Sequence, residues 1–485
     1  MTDSFFLSLR EGVRITPRGS DQAVLQYGPW SSTFSRMSSG TLAALQRLGG
    51  KGEYEDQLTE VVLKVDGTEA LANFYYYLHF LGQRGLLRRS VCLNGEKLAS
   101  LVPASSYFDY ASRSINPESQ YLLSRFAYTH VEDGETRLES PLSYARIFLH
   151  DWRAAMLVHA LARPRRVEEL GKHMDGLPAA AVEQLLTLLI NARMLSGVND
   201  AGRPVEDENP SLRSWEFHDL LFHSRSRIGR HDHPAGGTYR FAGLSAPPPA
   251  LKPADSSNPI ALYRPDLEQR KREDPPFALV QETRRSIREY DTRPITLQQL
   301  GEFLYRVGRV TERWEKEVPI PGGQIGMDFA RRPYPGGGAL YELELYVAVN
   351  ACENLAEGLY HYDPQKHRLE PISGLTSEVN GLLYGASQAT TIPKEQLQVL
   401  IFIATRFQRI AWKYASIAYS ITLKHVGVVY QTMYLVATAM ELAPCGVGCG
   451  DSDLFSRAAG TDYYEETSVG EFLLGSKCAT SSDTV

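Results

Sequence analysis

Arg284, Arg285, Ser286 and Arg288 stand within one stretch of five residues. Guanidinium forks match phosphate oxygens in pairs, and a hydroxyl between them donates one more hydrogen bond, so the string predicts a phosphate-binding segment. Alone, such a cluster is equally a solvated surface or a set of ion pairs. Its weight comes from three stretches downstream. Tyr334, Pro335, Gly336, Gly337, Gly338, Ala339 and Leu340 make a turn whose glycines let main-chain N–H groups approach a ligand closely. Lys413 and Tyr414 are adjacent titratable groups, poor bases at neutral pH with ordinary values of about 10.4 and about 10 unless burial or a neighbouring charge shifts them. Cys445, Gly446, Val447 and Gly448 close a long apolar run.

Metal chemistry is not expected. Cys445 and Cys449 have no second Cys or His pair at structural-zinc spacing, and His218, His223, His231 and His233 match no compact site. Five scattered cysteines in 485 residues are not a disulfide framework, which predicts a reducing, cytoplasmic setting. A formal net charge of −6 gives no field that would gather nucleic acid or an anionic membrane, so neither is an expected partner. No apolar run has membrane-spanning length and no signal peptide is visible.

The elements that must position these residues fall into an α+β pattern. The length predicts about three domains. In the N-terminal half an order of helix, helix and hairpin occurs twice, with turns at Asn94-Gly95 and near Asn199, as in a winged helix-turn-helix. The two modules are placed at 1–115 and 135–215. Their third helices are apolar and aromatic (70–80) or carry a glutamate (181–190), which favours peptide binding or packing over DNA reading. A proline-rich linker is placed at 216–254, and a separate domain at 255–485. There Thr296 caps a helix with apolar residues at Leu300, Phe303, Leu304 and Val307. Strands are expected at 343–349, 358–364, 399–404 and 472–475, and a long apolar helix at 412–442.

Four motifs taken in order resemble the FMN-dependent nitroreductase superfamily and, within it, the SagB-type azoline oxidases of ribosomal-peptide natural-product pathways. They are RRSIREYD at 284–291, YPGGGALYELELYV at 334–347, GLYHYDP at 358–364 and HVGVVYQTMYLVATAMELAPCGVG at 425–448. Two modules ahead of such a domain resemble cyanobactin thiazoline oxidases, with paired winged-helix-like peptide clamps. The resemblance implies FMN held by Arg284, Arg285, Ser286 and Arg288, by the loop at Pro335, Gly336, Gly337 and Gly338, and by Gly446, Val447 and Gly448 near flavin N5. Gly336 replaces the family's usual serine, so contact there would be through backbone. Lys413 and Tyr414 match the azoline-oxidase Lys-Tyr pair and are the expected catalytic residues: one accepts the ring proton as hydride leaves for the flavin. Tyr419 and His425 are secondary candidates, and Lys477 could add charge at the phosphate.

The implied activity is oxidation of thiazoline, or oxazoline, to azole in a heterocyclised precursor peptide, with molecular oxygen as acceptor and a homodimer as the working unit. Two rival readings are an NAD(P)H-dependent nitro or quinone reductase with a fused helical domain, and a peptide-binding scaffold with a vestigial flavin site.

Overall fold

The computed structural model describes residues 4–28, 30–110, 113–253 and 258–478. The chain divides into two compact units, Met1–His233 and Pro234–Val485. Among the described residues no helix is long and apolar enough to cross a membrane.

In the N-terminal unit a three-stranded meander (Val13–Pro17, Ala23–Tyr27, Trp30–Phe34) precedes three helices, Ser39–Gly49, Glu55–Asp66 and Leu71–Gln83. Their apolar faces close one core around Leu25, Leu45, Leu48, Leu58, Val62 and Phe74. The expected hairpin follows as Leu87–Leu93 and Glu96–Pro103. Its turn residues Asn94 and Gly95 have φ of 54° and 86°, the left-handed pair that matches strand twist. These strands sit inside a seven-stranded antiparallel sheet. The second helical set, Trp152–Ala160, Val167–His173 and Ala179–Asn191, packs a separate core through Leu157, Leu170, Leu185 and Leu189. Here the hairpin shrinks to Leu195–Gly197 and one bridge between Val198 and Pro204.

The C-terminal unit is built on a seven-stranded antiparallel sheet in the order Ile260–Ala261, Arg368–Ser373, Gly358–Asp363, Leu343–Val349, Val399–Arg406, Glu466–Ser476, Leu442–Val447. Leu343–Val349 is central and wholly buried because both faces are covered. Leu343, Leu345, Val347 and Val349 enter one core with the helices Leu297–Gly308 and Ala418–Ala439; Tyr346 and Ala348 enter another with Ser377–Thr390 and Ser452–Ala459. The Thr296 cap forms as expected, its hydroxyl accepting the Gln299 N–H at 3.1 Å while the Gln299 side chain reaches back to the Thr296 N–H.

Two features depart from the sequence expectation. The long helix begins at Ala418, not at 412. Tyr414–Ala415 instead pairs as a short strand with Gly236–Gly237, and Ser416 takes a φ of 59° that no helix accommodates. Leu442 likewise leaves the helix to open the edge strand. The second departure is a long hairpin, Glu312–Ile320 with Gly323–Arg331, whose charged alternate positions carry little apolar signal.

Candidate active site

Two side-chain clusters gather the sequence motifs, one on each flank of the helix Ala418–Ala439. The first is built on the arginine motif. The helix Phe277–Thr283 ends there, and the chain leaves it at Arg284 with the Ile287 N–H donating to the Pro444 carbonyl at 2.8 Å. That bond lays the motif along the strand Leu442–Val447. Tyr434 joins the two: its hydroxyl accepts the Gly446 N–H at 2.7 Å and lies 2.7 Å from Ser286 Oγ. The Arg284 guanidinium stands 5.1 Å over the Tyr434 ring. Arg284, Arg285 and Lys477 line a cleft of about 520 Å³. Two guanidiniums and an ammonium outnumber Glu282 and Glu441 on the same concave surface, a net-positive donor set suited to a phosphate. Burial raises the Cys445 thiol above its ordinary value although Arg288 and Ser286 lower it, so this cysteine is a packed neighbour rather than a nucleophile. Arg285, Arg288 and Gly448 are exposed, while Val447 is buried, its carbonyl facing the Tyr430 hydroxyl at 3.4 Å.

The second cluster joins the glycine loop to the Lys-Tyr pair. Pro335 is exposed at the head of the loop. A β-carbon on Gly336 would press on the Tyr341 ring at 3.0 Å. Gly337 donates its N–H to His425 Nε2 at 2.7 Å, and His425 Nδ1 lies 2.7 Å from Oε1 of the fully buried Glu342. Because Nε2 accepts, the ring proton sits on Nδ1 and is donated to the carboxylate. A side chain at Gly338, at φ 63°, would have to displace the pair: a β-carbon would lie 2.6 Å from Lys413 Nζ and 2.8 Å from the Tyr414 hydroxyl. The Lys-Tyr pair therefore rests directly on the glycine loop. Arg409, 1% exposed, fixes the loop's far end by donating to the Leu340 carbonyl at 2.9 Å and the Asp328 carbonyl at 2.7 Å.

The electrostatics separate the roles of the pair. Burial lowers Lys413 from the ordinary lysine value, and among the described residues no carboxylate lies within ion-pair distance of its Nζ. Nζ faces the rings of Tyr239 at 5.7 Å and Tyr414 at 5.3 Å. Tyr414 moves the other way, raised by burial and then by Tyr239 and Glu342. The lysine is thus biased toward the neutral amine and the tyrosine toward the neutral phenol, so the surroundings do not favour a phenolate. Tyr419 is exposed and packs edge-on to Phe407 at 6.1 Å.

Within one chain the two clusters do not meet. His425 and Tyr434 are nine residues apart on the helix, roughly 13 Å along it and about half a turn around it. The sequence reading missed Tyr434, Glu342 and Arg409. A tyrosine in an apolar helix reads as core, and Glu342 stands at the start of an alternating strand pattern; their roles come from neighbours distant in sequence.

Residues 282–475 match the Nitroreductase family, 121–232 the cyanobactin oxidase ThcOx family, and 1–111 the ThcOx helix-turn-helix domain. A protein of Methanocaldococcus jannaschii described as a nitroreductase is 32% identical over 194 residues, 39% of this chain and 84% of that protein. The chain is a nitroreductase-family protein of the cyanobactin oxidase type. The microcin B17-processing protein McbC of Escherichia coli is 33% identical over 130 residues, 26% of this chain and 44% of McbC. Among solved structures, the E. coli microcin synthetase McbBCD complex with truncated pro-MccB17 bound aligns at a TM-score of 0.33 and 20% identity, covering 53% of this oxidase-family chain and 90% of that one. A nitroreductase of Exiguobacterium sibiricum in complex with FMN aligns at 0.29 and 13%, covering 44% and 92%. In this nitroreductase-family chain, both clusters lie inside the matched segment 282–475 apart from Lys477 and Tyr239.

Proposed function

We propose that this chain is an FMN-dependent oxidase that dehydrogenates thiazoline, and secondarily oxazoline, rings of a heterocyclised precursor peptide to azoles. The observation that carries the reading is the seating of Lys413 and Tyr414 on Gly338: a half-buried lysine, with no carboxylate in ion-pair distance among the described residues, against a backbone with no side chain. Arg284, Arg285 and Lys477 would hold the FMN phosphate, with Ser286 and Arg288 beside them and Gly446, Val447 and Gly448 at the ring end. When bound, FMN supplies the electron sink, taking the ring's hydride and passing electrons to molecular oxygen.

Lys413, as the neutral amine, takes the proton from the neighbouring ring carbon. Tyr414, as the neutral phenol, donates a hydrogen bond that orients the ring. Gly336, Gly337 and Gly338 leave backbone surface where a flat heterocycle can lie, and the His425–Glu342 pair holds that backbone in place. The opposite-flank placement of the two clusters supports a homodimer in which the glycine loop of one copy meets the arginine cleft of another. The N-terminal modules at 1–115 and 135–215, joined through 216–254 to the domain at 255–485, would hold the peptide.

The test is mass spectrometry of a heterocyclised peptide incubated with the protein and air, reading loss of two hydrogens per ring. Wild type is expected to give that loss, and Lys413→Ala to slow it by about 10²–10⁴-fold, the usual worth of a positioned base. Equal oxidation by wild type and a Lys413→Ala, Tyr414→Phe double variant would remove the pair from catalysis. The match to the M. jannaschii protein favours a second reading, an NAD(P)H-dependent nitro or quinone reductase. It predicts rapid anaerobic bleaching of the yellow protein by NADPH, where the oxidase reading predicts bleaching by the azoline peptide instead.

A further inference from the structure

The N-terminal unit holds a buried cation that no ion pair among the described residues neutralises; Glu55, lining the same cleft, offsets its charge only in part. Arg89 lies on the strand Leu87–Leu93, between Leu7 on one neighbouring strand and Leu101 on the other, and is 8% exposed. Its Nε has no hydrogen-bond partner among the described residues, and no carboxylate there reaches ion-pair distance. Its guanidinium carbon stands 4.2 Å over the Tyr110 ring. Other buried arginines of the unit are paired: Arg137 with Glu132 and Asp133, Arg146 with Glu139 and Asp232. Leaving a guanidinium buried without an anion costs stability, since its lost hydration is not replaced. Such a cost is retained where a ligand supplies the missing charge.

Arg89 lines a cleft of about 560 Å³, within the range of small-ligand sites. Leu78, Ile115 and Tyr110 give it apolar walls, and Arg113, Glu55 and Glu183 line it as well, so its net charge is close to zero. A doubly charged phosphate would meet repulsion from those two acids. A single carboxylate would not suffer it as strongly, and its planar oxygens match the guanidinium fork. We infer that this cleft binds a peptide through one carboxylate on Arg89, with an adjacent apolar side chain packed against Tyr110 and Leu78. The inference deepens the peptide-holding reading of the N-terminal unit, but binding alone tests it, whatever the C-terminal unit oxidises.

The experiment is calorimetric titration of the full chain with three probes: acetyl-Leu-Glu-Leu-amide, its Gln counterpart, and acetyl-Leu-Gln-Leu with a free C-terminal carboxylate. At least one carboxylate probe is expected to bind about tenfold tighter than the neutral one, the worth of one charge-assisted contact. Preference for the first assigns a side-chain carboxylate, and preference for the third assigns a chain terminus. Arg89→Gln is expected to erase the preference while melting no lower than wild type, because it removes an unpaired buried charge. Equal affinities for the three probes, no measurable binding by any, or a preference that survives Arg89→Gln overturns the inference. So does an Arg89→Gln variant that melts lower or fails to fold, which would make the guanidinium a structural group.

Discussion

Gly338 shows how much one missing side chain decides. Its φ of 63° costs a non-glycine residue about 1–2 kcal/mol, and the space a β-carbon would need is held by Lys413 Nζ and the Tyr414 hydroxyl. Gly338→Ala is therefore expected to lower stability by only about that amount while slowing peptide oxidation about 100-fold, because the pair is displaced by about an ångström. Comparing thermal melts with turnover measures both. The same cluster sets a pH dependence. The neutral amine of Lys413 is the working base, so kcat/KM rises with pH through the lysine's folded value, which burial has placed below its ordinary 10.5. Lys413→Arg, fixed as a cation, is expected to abolish that rising limb; a limb unchanged in this variant would assign it to another group.

At the scale of elements, two arginines, Arg409 buried and Arg406 half-buried, tie chain segments that are remote in sequence. Arg406 donates to Glu344 Oε1 at 2.9 Å and to the carbonyls of Pro249 and Ala250, and Arg409 reaches Pro248. The proline-rich segment is thereby pinned onto the C-terminal unit rather than left in solvent, with Ala250 wholly buried. Burial pushes the Glu344 carboxyl up, but Arg406 and His361 overcome it and hold the value at about 2. A depressed carboxyl contributes stability that is complete above its unfolded value of 4.5 and is lost as pH falls through about 2. Acid unfolding is expected to show a component in that window which Arg406→Ala removes. The same variant, leaving the buried Glu344 charge with only His361 in contact, is expected to cost about 3 kcal/mol in denaturant unfolding. The sequence could not show this tie. Arg406 and Glu344 are 62 positions apart, and each on its own reads as an ordinary polar strand residue.

At the scale of the whole molecule, the separation of the two clusters around one helix makes a direct prediction for the proposed dimer. An Arg284→Ala chain and a Lys413→Ala chain, each inactive alone, are expected to recover about one quarter of wild-type activity per site when unfolded together and reassociated, since half of randomly paired dimers contain one intact site. No recovery in a mixture that gel filtration shows to be dimeric would place each complete site within one chain.

The sequence by itself determined the motifs, their order, the capped helix at Thr296 and the central strand at 343–349, because periodicity and capping are local properties read within a few residues. It also determined the chemistry available at 284–288, 336–338, 413–414 and 446–448. Only the tertiary structure decided which of those groups meet. It delayed the start of the long helix to Ala418 so that Tyr414 opens a short strand with Lys413 just before it, placed Gly338 against them, and joined Ser286 to Gly446 through Tyr434. It also buried Arg89 with no ion pair among the described residues. The physical reason is common to all of these: burial, counter-ions and close backbone approach are set by residues far away in the chain, so no local pattern encodes them.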